Sequence, residues 1–275
     1  AQQQFNNDIR NGQGAADGLL RKIKSMAATV GLAFSAKKIM NVSDEMAQTT
    51  ARLNLMNDGL QTTKELQDMI YLSAQRSRSG YQTTADMVSQ LGLNAKDAFS
   101  SNVELIKFAE QLNKSLVIAG ASGMAAESTI YNLTQALSTG VLRGQDLNAV
   151  LSNAPNIVQN IADYLEVPMG QIRDMAAEGQ ITAEIVKNAM LAAADKTNEA
   201  FESMPMTFAQ ALQGIQNDLL MTFQPILQTI GAGAQFIHDN WSTLEPIFWG
   251  LTAAVGAYTI GLGMQTAATW IATGA

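Results

Sequence analysis

Enzyme chemistry needs a nucleophile beside a base, a pair of carboxylates held apart, or a cluster of metal ligands. This sequence supplies little for any of these. It contains one histidine and no cysteine, which excludes thiol catalysis, disulfides and any site built from several histidines. The single histidine, His238, lies in Phe236-Ile237-His238-Asp239-Asn240-Trp241, a setting that reads as a helix end. Asp163, Glu166, Asp174, Glu178 and Glu184 fall close enough in sequence to be considered for a glycosidase pair. Their places at helix starts and turns read instead as capping and solvating groups. Gly12-Gln13-Gly14 and Gly261-Leu262-Gly263 lack the strand-to-helix context of a nucleotide-binding turn, and no Gly-rich loop ends in Lys-Ser or Lys-Thr. The expectation is a protein that is not an enzyme, with no catalytic, cofactor-binding or metal residues.

The elements that would carry such residues are helices. Residues are 47% hydrophobic, 6% aromatic and 15% charged, and Ala, Gln, Asn, Thr, Met and Leu dominate the rest. That palette suits helices with small-residue contacts rather than sheets, and it predicts an all-α, multi-helix fold with a compact module of short helices in the middle and long helices at both ends. A net charge of −7 argues against a phosphate-binding surface, so no sequence-specific nucleic-acid partner is expected.

Four segments are expected along the chain. Residues 1–41 form an N-terminal helical segment, with Leu19, Leu20, Ile23, Met26, Ala27 and Val30 at helical spacing between Asp17 and Met40. Residues 42–203 form the main helical domain. Ser43 is the expected N-cap of its first helix, with Asp44 and Glu45 in the first turn, and Asn57-Asp58-Gly59 its end. Thr62 with Glu65 predicts a capping box, Arg76-Ser77-Arg78-Ser79-Gly80 a polar turn, and Thr83 with Asp86 a further helix start. Ser101 with Glu104 opens a longer helix whose core positions are Leu105, Phe108, Ala109, Leu112 and Leu116. Gly140 supplies a left-handed stop, Pro155 a first helical position, and Thr182 a cap.

Residues 204–245 form a long helix and linker. Met204-Pro205-Met206 reads as a hinge and Thr207 with Gln210 as a cap, ahead of Phe208, Leu212, Ile215, Leu219, Phe223, Ile226 and Ile230. These steps of three and four suit a self-association seam. An amphipathic helix packed on its own domain accounts for them equally, and Pro225 would kink a long seam. Residues 246–275 carry no charge, with Ile247, Trp249, Tyr258 and Trp270 as interface or core anchors. That length could cross a bilayer. Burial in a multi-copy helical assembly is the competing reading. The polar start without an initiator Met and the apolar end predict a piece of a longer protein.

One run of motifs is specific. Gly140-Val141-Leu142-Arg143-Gly144-Gln145-Asp146-Leu147-Asn148 is followed by Asn153-Ala154-Pro155, by Tyr164-Leu165-Glu166-Val167, and by Ile172 to Thr182. Together these resemble the tape measure domain near the N-terminus of tailed-phage and prophage tape measure proteins. Ala51 to Met56, Ala119 to Ser122, Phe201 to Ala209 and Gln224-Pro225 extend the likeness over roughly Val42 to Leu227. The resemblance implies a structural and assembly protein that occupies the lumen of the tail tube in several copies, helps set tail length, and leaves at infection for genome delivery. Implied partners are copies of itself, tail tube, tail tip and tail assembly chaperone proteins, and the host inner membrane through residues 246–275. Implied locations are the virion tail, the host bacterial cytoplasm during assembly and that membrane during infection. A membrane-inserting channel module is the alternative, and a peptidoglycan hydrolase a more remote one.

Overall fold

The computed structural model describes residues 36–218 together with 220, 221 and 224. The chain divides into two compact units, Ala1–Asn217 and Asp218–Ala275, and the first holds the features that follow. The described helices are α1 (Ala36–Met56), α2 (Thr63–Arg76), α3 (Tyr81–Asn94), α4 (Asn102–Ala119), α5 (Met124–Thr139), α6 (Gly144–Asn153), α7 (Pro155–Leu165), α8 (Met169–Ala177), α9 (Ala183–Ala192) and α10 (Ala194–Glu202). A short 3-10 turn, Lys96–Ala98, links α3 to α4. Residues 208–218 are helical, and the part within the first unit, 208–217, is α11. Among the described residues the fold is all-α, with one isolated antiparallel bridge between Val141 and Thr182.

Helix α4 is the hub. It packs against α2, α3, α7, α9 and α10, and its apolar stripe of Leu105, Phe108, Ala109, Leu112 and Leu116 is buried. Helices α1 and α3 pack closely, with Met46, Leu53 and Met56 of α1 buried. Gly92 on α3 is what allows the approach, because a Cβ there would lie 2.7 Å from the Met56 thioether. Burying each large aliphatic side chain contributes roughly 1.5–3 kcal/mol, so this layer and the stripe of α4 supply much of the cohesion. The short helices α6 to α9 pack around α7, whose Ile157, Val158 and Ile161 are buried.

Most of the punctuation follows from local chemistry. The Thr62–Glu65 capping box is present in both directions, as is the reciprocal pair between Thr207 and Gln210 at the start of α11. Ser101 accepts from the Glu104 amide, and Thr182 from the Ile185 amide. Gly140 closes α5 in the left-handed region at φ 85°, and Pro155 opens α7.

Two expected helix starts are corrected. Ser43 is not an N-cap: α1 runs unbroken from Ala36 to Met56 and Ser43 is a buried position inside it. Helix α3 begins at Tyr81, with Gly80 as its N-cap, rather than at Thr83. Thr84 is wholly buried there, and Asp86 turns to the side of the helix to pair with Arg52 of α1. Both misplaced starts put a good capping residue where a continuous apolar face overrides its local preference.

Candidate functional site

The five acids weighed for hydrolysis do not form a site. Asp163 accepts from Lys196 Nζ at 2.6 Å and from Gln159 at 2.7 Å, and the ammonium's hydrogen bond holds its carboxyl below the usual range. Glu166 is an exposed residue in the left-handed region, closing α7 at φ 56°. Glu178 accepts from the Gln180 amide group, and Glu184 lies in the first turn of α9. A shallow groove of about 470 Å³ is lined by Ser101, Val103, Glu104, Lys107, Gln111, Leu191 and Ala194, which include none of the five acids. Among the described residues no group of His, Asp and Glu has the makings of a metal site. His238 lies outside the described residues.

The segment 140–182 has a geometric reason for its residue pattern. After Gly140, the Leu142 amide donates to the Ile181 carbonyl and the Ala183 amide to the Gly140 carbonyl, each at 2.8 Å. Two turns distant in sequence are thereby tied edge to edge, and Leu142 and Ile181 are buried beside the bridge. Gly179, at φ 74°, closes α8 and leads the chain back into this tie. Between them α7 and α8 form two short helices joined by a tight turn. Such a corner can read nucleic acid only with a basic face. Here the exposed positions mix Arg173 with Asp163, Glu166, Asp174 and Glu178, so the corner carries no basic face.

An ionic cluster, buried at Glu110 and Lys114 and open to solvent at Arg76, fastens α10 to the core. Arg76 of α2 donates to Glu110 Oε2 of α4 from Nε at 2.9 Å and from the terminal nitrogen at 2.6 Å. Lys114 donates to Glu110 Oε1 at 2.9 Å and to Asn198 Oδ1 of α10 at 2.7 Å. Burial pushes the Glu110 carboxyl up, but the hydrogen bonds and charges of Arg76 and Lys114 outweigh it and leave it below its ordinary value. Phe201 of α10 is buried, and the Arg78 guanidinium stands 4.4 Å from its ring centroid. Arg78 also donates to the Met204 carbonyl at 2.9 Å. Met204, the residue that follows α10 by two positions, is therefore held against the α2–α3 turn.

The same turn receives α11. Asn217 Nδ2 donates to the Ser79 carbonyl at 2.8 Å, and Asn217 Oδ1 accepts from the Tyr81 amide at 2.8 Å. Gln75 Nε2 reaches the Gly214 carbonyl at 3.4 Å. Asn217 is wholly buried, Gln210, Gln213 and Gly214 are half-buried, and the opposite face is open. Phe208 is 80% exposed, Leu212 43% and Ile215 51%. Helix α11 does pack on its own domain, but through its polar edge. Local pattern reasoning missed Asn217 because its partners lie more than a hundred residues upstream. The remaining seam positions Leu219, Phe223, Ile226 and Ile230, and the apolar anchors Ile247, Trp249, Tyr258 and Trp270, lie outside the described residues.

Compared with known families, residues 37–226 match the model described as tape measure protein. No curated protein and no solved structure matches the chain.

Proposed function

The chain belongs to the tape measure protein family, a structural family of phage tails, and from that membership we propose that it occupies the lumen of the tail tube, helps set tail length and is released at infection for genome delivery. The observation that carries the reading is the extent of the match. It runs from residue 37 to residue 226 and so spans nearly all of the described helices together with the tied turns at 140–142 and 181–183. A ruler role has a physical basis in the helix itself, which rises about 1.5 Å per residue. A parent protein continued as helix would span a length proportional to its residue count.

The partners that follow are copies of the same chain, tube and tip proteins, and an assembly chaperone, with the virion tail as the final location. In-frame deletions in the helical part of the parent gene should shorten tails in proportion to the residues removed, as read by electron microscopy of purified particles. Tails of unchanged length would sink the proposal. The alternative of a membrane-inserting channel module rests on residues 246–275, which lie outside the described residues. Among the described residues no helix is long and apolar enough to cross a membrane. Flotation of the chain with liposomes, with and without 246–275, tests that alternative; equal partitioning removes its support.

A further inference from the structure

Helix α11 is held to the domain mainly by polar contacts. Its large apolar side chains Phe208, Leu212 and Ile215 are exposed while it is docked, so undocking sacrifices little apolar burial. One side chain does most of the holding. The Ser79 carbonyl and the Tyr81 amide flank Gly80 as an acceptor and a donor, and the Asn217 carboxamide answers both, each at 2.8 Å. A carboxamide carries an N–H and an oxygen side by side, whereas a carboxylate has no donor for Ser79 and an aliphatic side chain leaves both groups unpaired. Gly80 keeps the approach open, since a Cβ there would meet the Gln213 amide at 3.2 Å. A further bond, from Gln75 to the Gly214 carbonyl, is long at 3.4 Å.

We propose that α11 is a releasable strap, latched where the α2–α3 turn recognises the Asn217 carboxamide, and that it swings out about residues 205–207. The near end is anchored independently of the latch. Arg78 holds the Met204 carbonyl at 2.9 Å and stands over the ring of the buried Phe201. Residues 205–207, between that anchor and α11, are exposed. The capping pair of Thr207 and Gln210 lies within the moving part, so release breaks none of the bonds of its opening turn. The latch sits at the far end, on the last residue of the first unit. Latched, the chain leaves that unit at Asn217; released, it leaves at Met204. The strap is thus a two-position device that sets where the following chain is tethered, and it does not depend on the tail reading.

Hydrogen exchange of the full chain tests the latch. The amides of residues 211–217 should exchange through one shared opening, at least about a hundredfold faster than those of residues 105–116 in α4. Asn217→Ala and Asn217→Asp should each accelerate that set on the order of tenfold and leave α4 unchanged. The Asp variant is the sharper of the two, because it keeps the size of the side chain and the acceptor for Tyr81 and loses only the donor to Ser79. The absence of cysteine from the chain makes the movement measurable as well. With spin labels on Tyr131→Cys of α5 and Gln216→Cys of α11, both exposed positions, the parent should give one narrow distance and Asn217→Asp a second, longer population.

Exchange of the α11 amides as slow as that of α4 overturns the proposal, since the helix would then open only with the whole domain. Exchange indifferent to Asn217→Asp overturns it too, because the carboxamide would not be the latch. Acceleration that spreads to α4 would make Asn217 a part of the core rather than a latch. Acceleration of α11 with an unchanged distance distribution would mean that the helix frays in place and does not swing, which also overturns it.

Discussion

Asn217 and Tyr81 are joined by a hydrogen bond of 2.8 Å from the Tyr81 amide to the Asn217 side-chain oxygen. Tyr81 is the first residue of α3, and the N-cap before it is Gly80, which has no side chain to accept from the opening turn. Asn217 therefore does the work of a cap from the far end of the domain. Asp58 plays a similar part for α4, accepting from the Asn102 amide at 2.9 Å out of the loop after α1. Burial opposes the charge on Asp58, and the amide bonds from Asn102 and Leu60 prevail, so its carboxyl titrates below its ordinary value.

Replacing Asn217 by Leu should strip the Tyr81 amide of its acceptor and leave the Ser79 carbonyl unpaired. A lost cap costs about 1 kcal/mol and an unpaired buried polar group roughly 1–3 kcal/mol. Amide exchange at Tyr81 should accelerate on the order of tenfold, while that of the α4 core stays slow. Unchanged exchange at Tyr81 would mean that the cap is dispensable.

Glu110 and Lys114 should behave as a coupled pair. Glu110→Leu leaves the Lys114 ammonium buried with only Asn198 and the Phe201 ring, 5.7 Å away, as partners, and the loss should reach roughly 3 kcal/mol. Adding Lys114→Met should recover part of it, because the stranded charge is removed. Arg76, with its side chain 55% exposed, adds little through screened charge. Urea unfolding of the two single variants and the double variant measures the coupling; strict additivity would count against it.

Acid should expose the same cluster. The folded-state value of Glu110 lies below its reference of 4.5, so its contribution is complete above that pH and disappears as pH falls through the depressed folded value. Asp58 acts in the same sense from its lower reference of 3.8. Stability should drop more steeply below pH 4.5 in the parent than in Glu110→Gln, followed by thermal unfolding at a series of pH values. Parallel pH profiles would remove Glu110 from the account.

Gly140→Ala isolates a backbone effect. Nothing lies within 4 Å of a Cβ built there, yet the residue sits at φ 85°. The cost should be about 1–2 kcal/mol with no packing component, seen as a lower urea midpoint with an unchanged slope. A neutral substitution would show that the turn can relax.

Much of the domain is written locally. Thr62 with Glu65 and Thr207 with Gln210 announce helix starts because each pair closes its bonds within a single turn. Gly140 and Pro155 mark a stop and a start because their backbone preferences act on their own residues. The core stripe of α4 shows in the spacing of Leu105, Phe108, Leu112 and Leu116, since burial along one face leaves a 3.6-residue period. Ser43 and Thr83 mislead for the complementary reason: each carries a good cap, but the local preference yields to a helix whose apolar face continues past it.

The sequence by itself determined an acidic, cysteine-free, helical chain, the order of most of its helices and the motif run that places it in its family, because all of these rest on composition or on interactions between near neighbours. Only the tertiary structure decided that Arg76, Glu110, Lys114 and Asn198 meet in one cluster, that Gly140 to Leu142 is tied to Ile181 to Ala183, and that Asn217 caps α3. It also decided which edge of α11 faces inward. Apolar spacing alone points Phe208, Leu212 and Ile215 to some hydrophobic surface and does not name it. The direction was set by the unfilled cap at Gly80, whose turn offers a carbonyl and an amide where an asparagine side chain fits and an apolar one does not.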